Sequence, residues 1–182
     1  LTVTANLVTE AALTHIVRNL RPRDRREIFA LRWHDDEDQL VREIFGVAGA
    51  LWRVWCLDDE PVSINGVIPV RPGVVIAGAF GTNKWRSTIK QMTQWSRDYV
   101  IPTLHHAGFH RGEAYVLAEN TDSRKWIEHL GGEIEAVLKG YGRGREDFIL
   151  YTWDLTRERS DHVFWRRGRK AGGASVSARL VS

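Results

Sequence analysis

Val116-Leu117-Ala118-Glu119-Asn120-Thr121-Asp122-Ser123-Arg124-Lys125-Trp126-Ile127-Glu128-His129-Leu130-Gly131-Gly132 changes its hydrophobic period halfway along. The first residues continue Glu113-Ala114-Tyr115 as a run of strand length and composition. From Asp122 to Leu130 the apolar residues recur at helical spacing, and Gly131-Gly132 stops the helix, since glycine readily takes the left-handed conformation of a helix end. A strand running directly into a helix points to an α/β domain.

Beyond this stretch, Ile134 to Leu138 and Asp147 to Leu155 read as two strands joined by the loop Gly140-Tyr141-Gly142-Arg143-Gly144-Arg145. Upstream, a helix begins near Ser87, with Ile89, Met92, Trp95 and Tyr99 expected to face the core until Pro102 ends or kinks it. Three strand-like runs come before it, Leu51–Leu57, Val62–Ile68 and Val74–Phe80, with turns expected at Asp58-Asp59-Glu60-Pro61 and Arg71-Pro72-Gly73. Two helices precede these: one over Asp24–Arg32 with Asp24 as its N-cap, and one over Glu37–Phe45 stopped by Gly46. The expected order is two helices, three strands, helix, strand, helix, two strands. This is a mixed, mostly antiparallel sheet flanked by helices, spanning residues 1–156 and followed by an extension over 157–182.

The 182 residues are 43% apolar and include eight Trp, enough for one buried core. Most of those Trp are expected inside, and their scatter argues against a base-stacking platform. No run is long and apolar enough to span a bilayer, and no basic region followed by an apolar run opens the chain. A soluble protein without an export signal is therefore expected. Cys56, the only cysteine, reads as a small core residue. Charge is uneven: residues 157–182 carry seven Lys or Arg against two acids, so residues 1–156 sum to about −2 of the overall +3. An acidic body with a basic end argues against a nucleic-acid-binding fold and for an interaction tail. In that tail, Trp165, Arg166, Arg167, Arg169 and Lys170 combine aromatic and basic groups suited to an acidic protein groove or to phosphates.

The stretch Val116–Gly132 resembles the fifth strand and fourth helix of the GNAT acyltransferase superfamily, in which an Asn opens the helix; the resemblance extends over roughly residues 14–155. Gly140 to Trp153 is similar to GNAT-like proteins encoded by tailed phages. The resemblance implies two splayed strands with acetyl-CoA in the gap and its pyrophosphate on the amides that start the central helix, which suits unpaired N–H groups and the helix dipole. By position those residues are Trp85, Arg86 and Ser87, with Asn120 contacting the pantetheine arm. Two departures stand out. Phe80-Gly81-Thr82-Asn83-Lys84-Trp85-Arg86-Ser87 lacks the family's Gly-x-Gly or Gly-x-Ala, and Ile127 occupies the position of the family's acidic Tyr. Glu113 and Glu119 are candidate general bases, and Tyr141, with Tyr151, is a candidate acid.

His105, His106 and His110 straddle a helix end at Ala107-Gly108 and are not expected to converge on a metal. His34-Asp35-Asp36-Glu37-Asp38 reads either as a solvated helix start or as the rim of an acceptor site. The favoured reading is a GNAT-fold protein without efficient catalysis and without a cofactor, a phage virion component in the virion or the host cytoplasm that docks on other virion proteins through its tail. The alternative is an N-acyltransferase that uses acetyl-CoA to modify an unknown amine. Nucleic acid is the least supported partner.

Overall fold

Residues 1–156 are described by a computed structural model. Its centre is a seven-stranded sheet in the order β1-β2-β3-β4-β5-β7-β6, built from β1 (Val3–Asn6), β2 (Leu51–Leu57), β3 (Glu60–Arg71), β4 (Val74–Gly81), β5 (Arg111–Leu117), β6 (Glu133–Leu138) and β7 (Phe148–Asp154). All neighbours pair antiparallel except β4 and β5, which run parallel. The β2–β3 hairpin turns on Asp58 and Asp59, both with positive φ (48° and 66°), as a two-residue turn requires to match strand twist. That tight turn brings Glu60 and Pro61 into β3, making the strand longer than its sequence suggests.

Two elements were not anticipated from the sequence: the edge strand β1 and the helix α1 (Glu10–Arg18), capped by Thr9, whose hydroxyl accepts from the Ala12 amide. Leu13, Ile16 and Val17 of α1 are fully buried. The next helix, α2 (Pro22–Ala30), starts on a proline at its first turn, so Asp24 lies within the helix and is not its cap. The α3 helix (Glu37–Phe45) has the expected bounds, with Asp36 accepting from the Gln39 amide. These three helices cover one face of the sheet, where Leu13, Phe29, Leu40, Ile44, Val54 and Ile64 share a core.

The helical stretch on the other face is broken, not continuous. A 3₁₀ turn (Trp85–Ser87) leads into α4 (Ile89–Trp95), a π turn (Ser96–Val100) follows, and α5 (Ile101–His106) carries Pro102 in its first turn, directly after the π turn. Tyr99 falls on the outside of the π turn, about half exposed and stacked on Trp95, so it does not face the core as its spacing predicts. Val100 and Leu104 pack on Val67 and Val75. The last helix among the described residues, α6 (Thr121–His129), lays Ile127 against Ala114, Val116 and Tyr151. Trp33, one of a set of tryptophans mostly expected in the core, is fully exposed on the α2–α3 loop. No helix among the described residues is long and apolar enough to cross a membrane.

Candidate functional site

The parallel pairing of β4 with β5 lasts three residues, Val74–Ile76 against Arg111–Glu113. Beyond it the strands diverge, and Ala77–Gly81 and Ala114–Leu117 face each other unpaired across a V. Backbone alternation fixes which groups look into the V. On β4, the Thr82 amide bonds to Val62 of β3 (2.8 Å), so Gly81 and Ala79 turn their peptide groups to the gap. On β5, the Ala118 amide bonds to Asp147 (2.9 Å), so Leu117 and Tyr115 turn theirs to it.

At its mouth the V is spanned by α2. The Asp24 carboxylate accepts the Gly81 amide at the end of β4 (2.9 Å). One turn later the Glu27 carboxylate accepts the Leu117 amide of β5 (2.9 Å). Each helix carboxylate thus satisfies one strand-edge donor that the splay leaves over. Asp24 is ion-paired with the buried Arg21 at 2.7 Å, and Arg21 lies over the Trp85 ring at 3.9 Å and donates to Ser123. Glu27 has a neutral second partner, the Asn120 amide at 2.9 Å. Burial pushes the Glu27 carboxyl up to about 7, and the donors Asn120 and Leu117 only partly oppose it. Gly81 is obligatory here: a Cβ would lie 2.8 Å from the Val62 carbonyl oxygen and 2.9 Å from Trp85.

Inside the V lies an apolar cavity of about 110 Å³, bounded by Ala77–Phe80 of β4, Ala114–Val116 of β5, and Ile127. Glu27 and Ser123 are among the few polar groups on its wall. Outside, between α4 and α6, an open groove of about 640 Å³ is lined by Arg86, Lys90, Arg97, Lys125 and His129, with Asp122 as its acid. Arg86 and Arg23 share Asp122 and hold its carboxyl below the usual range, the Arg86 hydrogen bond contributing most. Trp85 and Trp126 line both spaces and meet edge to face at 6.3 Å, forming the partition between them. Trp126 is latched across the two helices by its Nε1–H donating to the Thr93 hydroxyl (2.8 Å).

The residues expected to carry function fall in different places. Trp85 is buried in the partition, Arg86 is exposed in the groove, and Ser87 is exposed in the 3₁₀ turn. The amides of Lys84, Trp85, Ser87 and Thr88 are already bonded within the loop, to the Thr82 hydroxyl, Thr82 O, Lys84 O and Trp85 O. Those four therefore offer a pyrophosphate nothing, although the strand edge beside Ala79 suits an extended, amide-bearing arm. Asn120 is fully buried; it caps α6 by accepting from Ser123 and spends its amide on Glu27.

Of the candidate bases, Glu119 is exposed and ion-paired with Arg26. Glu113 is buried, which alone would raise its carboxyl, but hydrogen bonds from Arg111 and Tyr115 and the charge of Arg71 hold it below the usual range. A carboxylate held that firmly as an anion is a poor proton acceptor. Tyr141 is half exposed and stacks on Tyr115. Tyr151 is fully buried, donating to Glu128 and accepting from Arg124. His105 and His106 bond separately to the carbonyls of Leu155 and Pro102, and no cluster of metal-ligating side chains exists among the described residues. Trp165, Arg166, Arg167, Arg169 and Lys170 lie outside the described residues. Sequence reasoning missed Glu27, because nothing near it in the chain reveals that it docks on residues some ninety positions away.

No family model and no curated relative matches the sequence. Solved structures do match. A GNAT superfamily phosphinothricin acetyltransferase from Sinorhizobium meliloti, in complex with acetyl-CoA, superposes with a TM-score of 0.65 at 15% identity over 85% of this chain and 89% of that one. The ribosomal-protein-S18-alanine N-acetyltransferase from Escherichia coli gives 0.62 at 14% over 88% and 98%. An N-acetyltransferase from Staphylococcus aureus gives 0.63 at 14% over 85% and 99%. At these identities the likeness establishes the architecture, and the chain has the GNAT fold.

Proposed function

We propose that the chain is an acyl-CoA-dependent N-acyltransferase whose donor enters the V between β4 and β5. The observation that carries this reading is the pairing of an apolar cavity, walled by two unpaired strand edges, with a basic groove directly outside it. A donor with a phosphorylated head and a narrow amide-bearing arm matches that sequence of environments. Arg86, Lys90 and Lys125 would face the phosphates, and the Ala79 edge would hold the arm. The donor supplies an acyl group on a thioester carbon; the protein contributes binding, orientation and a water-poor cavity. Because Ile127 cannot donate a proton, the departing thiolate receives none from that position.

Support also comes from the neighbours in fold, two of which hold acetyl-CoA. A second reading, a scaffold without a donor, is favoured by one observation: four amides of the 82–88 loop are internally bonded. Docking through Trp165–Lys170 is proposed from their basic and aromatic composition, and a phage virion as its partner from resemblance. Calorimetric titration with acetyl-CoA and with CoA separates the first two readings. Micromolar binding is expected, and no heat at millimolar ligand would leave the scaffold reading.

A further inference from the structure

We infer that Glu27 is the general base of this site, taking the proton that an acceptor ammonium must lose before its nitrogen can attack an acyl carbon. The inference rests on the acyl-transfer reading above. Four features of the geometry carry it. Glu27 reaches from α2 to the mouth of the V and forms part of the cavity wall. Only one of its oxygens is engaged: Oε2 takes both the Leu117 amide and the Asn120 amide, and no hydrogen bond from a described residue reaches Oε1. Both donors are neutral, so the carboxylate is fixed in position without being neutralised. The acids and cations nearby are otherwise committed, with Asp24 to Arg21, Glu119 to Arg26 and Asp122 to Arg23 and Arg86.

Glu27 therefore differs in kind from Glu113, which two arginines and a phenol hold as an anion. Its burial makes it basic enough to accept a proton near neutrality, with Asp24 adding a little to the rise and Arg21 opposing it. The proton balance closes. Glu27 takes one proton from R–NH₃⁺, leaving R–NH₂. The nitrogen lone pair bonds to the acyl carbon as the carbon–sulfur bond breaks, its electron pair staying on sulfur. The second nitrogen proton passes to that sulfur, and Glu27 returns its own to water.

Glu27→Gln is the discriminating variant, because a glutamine oxygen still accepts from Leu117 and Asn120 while the basicity is gone. Two readouts are needed. In the full chain labelled with ¹³C at glutamate carboxyls, the resonance that disappears in E27Q should titrate with a midpoint near 7. In thiol-release assays with acetyl-CoA and spermidine, phenylethylamine or a tripeptide with a free N-terminus, the wild-type rate should rise with pH through that same midpoint. E27Q should lose roughly 10² to 10⁴ in rate, together with that limb of the profile, while its acetyl-CoA affinity stays within about threefold. A Glu27 midpoint in the ordinary carboxylate range, or an active E27Q that keeps the limb, overturns the assignment alone. A wild type that neither binds acetyl-CoA nor releases thiol overturns the acyl-transfer reading and this role with it.

Discussion

The two arms of the V are closed by the same helix in two different ways. On the β4 side Asp24 caps Gly81 and is bound to a buried arginine that itself stacks on Trp85. On the β5 side Glu27 caps Leu117 with only a neutral amide beside it. Both carboxyls are pushed upward by burial, but only Asp24 has a guanidinium within hydrogen-bonding distance. A backbone amide needs an acceptor, not a charge, so capping alone does not distinguish the two. The paired carboxylate is a structural rivet, and the unpaired one remains chemically available.

Breaking the β4 side should cost most. Asp24→Ala strands the Arg21 cation, which is 7% exposed, and leaves the Gly81 amide without its acceptor, a loss of about 3 to 5 kcal/mol by analogy with other broken buried pairs. Urea denaturation measures it; a loss under 1 kcal/mol would mean Arg21 is solvated or finds another partner.

The β5 side should respond to pH instead. Glu27 has its ordinary value of 4.5 when unfolded and about 7 when folded, so between these the folded state binds more protons. Its contribution to stability is therefore greatest below pH 4.5 and falls as pH rises to 7, by about 2 kcal/mol after allowance for partial exposure. Denaturation midpoints of E27Q should lack this decline, and parallel curves for wild type and variant would show that Glu27 titrates normally.

Further out, removing Lys90 and Lys125 together should weaken acetyl-CoA binding about tenfold and flatten its dependence on salt, with little effect on stability. The smallest effect belongs to the partition. Thr93→Val removes the acceptor that latches Trp126 at a cost of about 1 kcal/mol, and stopped-flow mixing should then show faster acetyl-CoA association. An unchanged rate would mean that the indole does not bar the way.

The segments that were legible carry strong local signals. Glu37–Phe45 has an Asp cap, an apolar stripe and a glycine stop, and the structure keeps those bounds. β1 alternates apolar and polar residues, Val3-Thr4-Ala5-Asn6, but four mostly exposed residues are too short a run to stand out from a loop. The α1 helix does carry a local signal, Thr9 as a cap followed by Leu13, Ile16 and Val17 at helical spacing. The helix after β4 was read as continuous because spacing alone cannot reveal the π turn that shifts Tyr99 outward.

The sequence by itself determined the alternation of strands and helices, the glycine at the end of β4, the lack of an acidic side chain at Ile127, and the basic character of the 157–182 segment. Each of these is a property of residue type or of neighbours a few positions apart. The tertiary structure alone decided where β4 and β5 part, which amides of the 82–88 loop are already bonded, and which glutamate is left unpaired. Glu27 and Glu113 are the same residue type, yet burial raises the carboxyl of Glu27, whose donors Leu117 and Asn120 come from far along the chain, while Arg111, Tyr115 and Arg71 hold that of Glu113 down. A carboxyl's ionisation depends on its solvation and on the charges within a few ångströms, and only folding fixes those.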